Sequence, residues 1–111
     1  MIPRRGQIFT GDLGDPIGHE QAYLRPLLVI SGDGFSATGL VTTLPITTTH
    51  RPYPTRVDLD GVLDEVCYVQ VEQIRTISTK RLVSYLADVD TVDMARVERI
   101  VALLLELPVG R

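Results

Sequence analysis

Along most of the chain, short apolar blocks alternate with turn-forming residues, and the period becomes helical only near the C-terminal end. Residues 7–13 alternate imperfectly between Gly6 and Gly14, which predicts a short strand. Residues 26–31 and 39–46 are continuous β-branched and aliphatic runs between turn signals. Such runs belong to strands buried on both faces, so these two are expected at the centre of a sheet. Residues 55–59 alternate cleanly, Asp60-Gly61 supplies a turn, and residues 66–71 return as the partner of a wide hairpin. Residues 73–77 alternate again and predict one further short strand.

A different period starts at Asp90, which is placed as an N-cap with Asp93 three residues later at the positive end of the helix dipole. Met94, Val97, Val101 and Leu104 then share one face, Leu103 and Leu105 widen it, and Arg96, Arg99 and Glu106 face water. A helix over residues 91–106 follows, stopped by Pro108 and Gly110. Strands first and one helix last predict a mainly β (β+α) fold, a compact and partly closed antiparallel barrel carrying a C-terminal helix. Two long polar loops, residues 14–24 and 47–54, remain at strand ends.

The 111 residues amount to one domain spanning 1–111, and 44% hydrophobic against 23% charged residues places the chain among folded proteins. The longest apolar run, residues 101–105, is cut by Glu106 well short of the ~20 residues of a membrane span, so no membrane partner is expected. The N-terminus has two arginines but no apolar stretch behind them, unlike a secretory signal. Cys67 is the only cysteine, so no internal disulfide forms and a cytoplasmic location is the simplest expectation.

The net charge of −3 argues against a protein that coats nucleic acid through bulk electrostatics. Residues 1–56 carry five basic and four acidic groups, and residues 57–111 carry six and ten, so any basic patch must be gathered by folding. Ten of the eleven basic residues are arginine, the side chain suited to bidentate contacts with phosphate or carboxylate.

No phosphate-binding loop or dinucleotide fingerprint is present, and His19, His50 and Cys67 are too far apart for a zinc site, so neither cofactor nor metal is expected. Cys67 lies in an apolar strand and reads as a small buried hydrophobe rather than a nucleophile. The polar residues fall into three groups beside strand ends: Gly18-His19-Glu20-Gln21 with Arg25, Thr47 to Arg51, and Glu72 to Arg75. A rigid sheet can hold all three near one mouth, and these residue types can bind a phosphate and move protons without a metal. His50, Arg51 and Tyr53 have the chemistry to stack on or pair with bases of single-stranded RNA.

In order along the chain, Arg5-Gly-Gln-Ile-Phe with Asp12-Leu, Gly18-His-Glu-Gln, Arg25-Pro-Leu-Leu-Val, Pro45-Ile-Thr and Glu72-Gln-Ile-Arg-Thr-Ile resemble the motifs of the MazF/PemK (Kid) toxins of bacterial toxin–antitoxin pairs. The resemblance runs from Arg4 to about Leu107. It implies a CcdB/MazF/PemK-like SH3-like barrel, a homodimer, and a metal-independent, sequence-specific endoribonuclease acting on single-stranded RNA. In such enzymes the RNA's own 2′-hydroxyl is the nucleophile, and the products carry a 2′,3′-cyclic phosphate and a free 5′-hydroxyl. The resemblance also implies a cognate antitoxin whose acidic, disordered C-terminal tail blocks the RNA groove.

Carried over residue by residue, Arg25 and Thr47 are the family's catalytic pair. With a pKa above ~12, Arg25 is assigned charge stabilisation and proton donation rather than proton abstraction. Glu20 is then the candidate base, with His19 as its rival and an ion pair to Arg25 as its structural alternative. Some family members carry Arg and Asp where this chain has Gln70 and Glu72, which shifts the weight to Arg25 and Thr47. His19, Gln21, Thr48, His50, Arg51, Gln73 and Arg75 complete the candidate RNA-binding set. Two other functions compete: a non-enzymatic CcdB-like toxin that poisons a protein target such as gyrase, and an inactive interaction barrel, which a buried and paired Arg25 would favour.

Overall fold

The computed structural model describes residues 2–108. Seven strands follow in order: β1 (Gln7–Asp12), β2 (Leu24–Val29), β3 (Leu40–Thr47), β4 (Arg56–Leu59), β5 (Cys67–Gln70), β6 (Arg75–Ser78) and β7 (Leu82–Asp88). A one-turn helix α1 (Asp33–Ser36) joins β2 to β3, and the C-terminal helix α2 spans Thr91–Leu104. All pairings are antiparallel, in the order β4-β5-β3-β2-β1-β7, with β6 added to β3.

Strand β3 is the pivot of this bent sheet. Its first half, Leu40 to Thr43, pairs with β6, and its last two residues, Ile46 and Thr47, pair with Val69 and Tyr68 of β5. Pro45 falls in the gap between the two partners, where that edge demands no backbone donor. Thr47, the last residue of the strand, is thereby delivered to the sheet's mouth.

The continuous apolar runs are explained by burial on two sides. On β1 and β2, Ile8 and Leu28 join a core with Leu44, Val69, Met94 and Val97 beneath α2. Their neighbours Phe9, Leu27 and Val29 join a second core with Val41, Ile77 and Leu82. Alternate residues therefore serve opposite faces, and neither face tolerates a polar side chain. Gly11 is required where it stands: a Cβ there would lie 2.5 Å from Leu27 Cδ1, directly across from Arg25 in the β1–β2 register.

The strands expected at residues 7–13, 26–31, 39–46 and 73–77 and the hairpin over 55–71 are present with ends shifted by one or two residues, except that the return strand stops at Gln70. Helix α2 is capped as expected, with Asp93 N–H donating to Asp90 Oδ1 at 2.8 Å. It ends at Leu104 rather than Glu106. Glu106 takes φ +55°, and Leu107 N–H closes back onto the Ala102 carbonyl at 2.8 Å, so the stop is a Schellman turn without glycine. Gly110, the expected stop, lies outside the described residues. Leu103, Leu104 and Leu105 do not extend the buried face; they are exposed, because the core contacts of α2 end with Ile100 and Val101.

Strand β7 has no counterpart in the apolar pattern. Val83, Tyr85 and Leu86 are all exposed, so the strand shows no alternation, and its ladder with β1 is broken by two register shifts. Among the described residues no helix is long and apolar enough to cross a membrane.

Candidate active site

Arg25 is the second residue of β2, next to the 14–24 loop, and Thr47 ends β3. In the β2–β3 ladder Leu27 faces Pro45, and the same register continued by two residues sets Arg25 across from Thr47. Both line one cavity of about 460 Å³, together with Thr48, Leu63 and Cys67, and with Leu86 of β7.

The charge state of this cavity separates the competing functions. Arg4, Arg5, Arg56 and Arg96 each hold a carboxylate. Arg25 is half-buried, and among the described residues it forms no ion pair. A partly desolvated guanidinium without a carboxylate partner is a ready anion site. Thr47 is buried, and its Oγ1 accepts the Thr49 N–H at 3.1 Å. Its own hydroxyl proton is thus left to donate into the cavity. Burial pushes the Cys67 thiol up from its ordinary pKa, and the side chain is 1% exposed with Sγ donating to the Leu59 carbonyl, as expected of an inert packing residue.

The 14–24 loop is fastened by three glutamines. Gln21 N–H donates to Gln73 Oε1 at 3.1 Å, Gln21 Nε2 to Gln70 Oε1 at 2.8 Å, and Gln73 Nε2 to the His19 carbonyl at 2.9 Å. Gln21 and Gln73, expected on RNA, are therefore engaged with the loop and each other. Gln70 is fully buried under this clasp, and among the described residues its Nε2 has no partner. The clasp holds the segment bearing His19 and Glu20. Glu20 Oε1 accepts the Ile17 N–H at 2.9 Å, the alternative ion pair with Arg25 is not formed, and Glu20 is not among the residues lining the Arg25 cavity.

His50 and Arg51 line an adjacent cavity with Tyr53 and Tyr68, whereas Arg75, on β6, lines neither. Two carboxylates that sequence reasoning missed, Asp64 and Glu65 of the β4–β5 connection, also line the Arg25 cavity, and neither pairs with Arg25. Their position follows from how the wide hairpin folds back, which no local pattern signals. Among the described residues no cluster of three or more His, Cys, Asp or Glu side chains is placed to hold a metal ion.

Glu72 has a structural occupation. Its Oε2 accepts from Arg56 Nε at 3.0 Å and Nη2 at 2.9 Å, and its Oε1 from Thr55 Oγ1 at 2.8 Å. With Arg56 only 10% exposed, losing the carboxylate strands a nearly buried cation. Glu72→Ala is expected to cost about 1–3 kcal/mol, read as a fall of roughly 5–15 °C in Tm, while cleavage below the transition changes less than it does on loss of Arg25. Thermal melts beside cleavage rates at low temperature check this.

Residues 4–105 match the family described as PemK-like, MazF-like toxin of type II toxin-antitoxin system. The chain is similar to endoribonuclease MazF9 of Mycobacterium tuberculosis, 34% identical over 94% of this chain and 97% of the relative. It is also similar to endoribonuclease EndoA of Bacillus subtilis, 32% identical over 96% and 97%. Its fold superposes with a TM-score of 0.82 on an endoribonuclease in complex with its cognate antitoxin from a mycobacterial species, 29% identical and covering 97% of this chain and 99% of that one.

Proposed function

The chain belongs to the PemK-like, MazF-like endoribonuclease toxins of type II toxin–antitoxin systems, and from that premise we propose that it cleaves single-stranded RNA in the Arg25–Thr47 cavity through the substrate's own 2′-hydroxyl. The observation that carries this reading is the half-buried Arg25, engaged in no ion pair among the described residues, beside Thr47 in one cavity. An inactive barrel has no use for such an arginine, and family membership sets aside the gyrase-binding alternative.

The scissile phosphate sits on Arg25, whose planar fork neutralises the charge that develops on the phosphorane, and the Thr47 hydroxyl donates to a non-bridging oxygen. The 2′-oxygen bonds to phosphorus, the bond to the 5′-oxygen breaks, and Arg25 is assigned the delivery of a proton to that leaving oxygen. Glu20 is assigned as the acceptor of the 2′ proton. Its carboxylate is tied to Ile17 in the free chain, so this role requires the loop to carry it over bound RNA. Thr48, His50 and Arg51 continue the RNA path away from the cavity, and His19 rides on the same loop as Glu20.

The exposed Val83, Tyr85 and Leu86 on the edge strand β7 support a homodimer, since a protein seldom leaves such an edge open to water. The Arg25 guanidinium, which holds no carboxylate among the described residues, can take one from an acidic antitoxin tail, and a cytoplasmic location accords with a target in cellular RNA. To test the activity, purified protein is incubated with mixed RNA in EDTA and the new 5′ ends are sequenced. Cuts at a recurring sequence with 5′-hydroxyl ends are expected, and dependence on added metal would overturn the mechanism. A second expectation is competition: tail peptide titrated into a fluorescent RNA complex of Thr47→Ala displaces the RNA, and simultaneous binding at unchanged affinity would refute occlusion.

A further inference from the structure

Next to the Arg25 cavity is a second one of about 350 Å³, lined by His50, Tyr53, Asp58 and Tyr68 and by two arginines already engaged elsewhere, Arg51 on the His50 carbonyl and Arg56 on Glu72. The two share a wall. Thr47 of the first is the strand partner of Tyr68 of the second, and Thr48 and His50, two residues apart, line one each.

The walls of this second cavity are aromatic and held in place. The His50 and Tyr68 rings lie with centroids 5.2 Å apart and planes at 60°. Tyr53 is backed by the Arg56 guanidinium, whose Cζ is 4.7 Å from the ring centroid, and Glu72 fixes that guanidinium in turn. Asp58 is the one carboxylate among the lining residues. Its Oδ1 accepts from Arg96 Nη2 at 2.7 Å, and among the described residues no hydrogen bond reaches its other oxygen. Aromatic faces with one oriented acceptor suit an unpaired nucleobase, which needs a stacking surface and a partner for its pairing edge.

Resting on the endoribonuclease reading, we propose that this cavity seats the base adjoining the scissile phosphate, and that Asp58 favours a base with an amino group on its pairing edge over uracil. Adenine, guanine and cytosine each offer an exocyclic N–H donor there. Uracil flanks its single N–H with two carbonyl oxygens, which meet the carboxylate with like charge.

The test has two readouts. RNA randomised around the cut is digested by wild type, His50→Ala, Tyr53→Ala and Asp58→Asn, and the product ends are sequenced. Single-stranded RNA carrying 2-aminopurine at successive positions is titrated against Thr47→Ala with and without His50→Ala, and its fluorescence quenching reports stacking. Wild type is expected to discriminate against uracil at one position beside the cut by roughly five- to tenfold. Asp58→Asn erases that discrimination alone, because the amide supplies a donor while its oxygen still accepts from Arg96. Quenching is expected at that same position, and His50→Ala removes it and weakens binding by roughly ten- to a hundredfold. An unchanged cleavage profile in all three variants, or quenching that is absent or equal at every position, overturns the proposal. A wild-type protein that cuts no RNA overturns the endoribonuclease reading instead, and the quenching measurement still decides whether the cavity takes a base.

Discussion

Arg25→Ala is expected to lower RNA cleavage by at least ~10²–10³, the loss seen when a single donor aimed at a developing oxyanion is removed. A charged donor in a partly desolvated cavity belongs at or above the top of that range, because in the proposed mechanism the guanidinium balances charge that grows as the phosphorane forms. Thr47→Ala removes a neutral donor and belongs inside it. Neither change should unfold the protein: Arg25 holds no carboxylate among the described residues, and Thr47 loses only the local bond from Thr49 N–H. Single-turnover cleavage rates beside circular dichroism of each variant separate the two effects. A mild Arg25→Ala together with a Glu72→Ala that abolishes cleavage in a folded protein would move the chemistry away from this cavity.

A larger effect is expected from the substrate. RNA with a single 2′-deoxy or 2′-O-methyl nucleotide at the cut should resist cleavage altogether, since the reaction then lacks its nucleophile and no side chain in the cavity replaces it. Cys67 is buried with its thiol pKa pushed up, and among the described residues Thr47 has no basic group hydrogen-bonded to its hydroxyl. Binding should be nearly unchanged, because the phosphate contacts survive the substitution. Electrophoresis of end-labelled substrates next to an affinity measurement distinguishes lost chemistry from lost binding. Cleavage of the deoxy-substituted strand would mean that water or a protein group attacks phosphorus, and would end the 2′-hydroxyl mechanism.

Salt should act on the two partners differently. RNA held through exposed arginines loses affinity steeply as salt rises, while a tail that also buries apolar side chains loses less.

The central strands, the β4–β5 hairpin and the capped start of α2 were legible in the sequence because each is specified locally, by an apolar run, a turn pair or a cap. That Arg25 and Thr47 stand at strand ends beside one cavity was legible too, through motifs carried there. Other features depended on contacts between distant segments. β7 is an open edge with apolar residues facing water, so its pattern resembles neither a half-buried strand nor a helix. The end of α2 at Leu104, two residues before the expected one, was decided by where its core contacts stop and by a Schellman turn at Glu106.

At the site, composition alone cannot tell a free arginine from a paired one. Arg25 and Arg56 look alike in the chain, but folding places Glu72 against Arg56 and leaves Arg25 open. Gln21 and Gln73 have the right chemistry for RNA, and only the packing of the 14–24 loop onto the Val71–Gln73 turn commits them to each other. The physical reason is the same in each case. Hydrophobic period, turn chemistry and capping act over a few residues and survive in the one-dimensional pattern, whereas the partner of a polar group is chosen across long loops by whichever group the packed core brings within hydrogen-bonding reach.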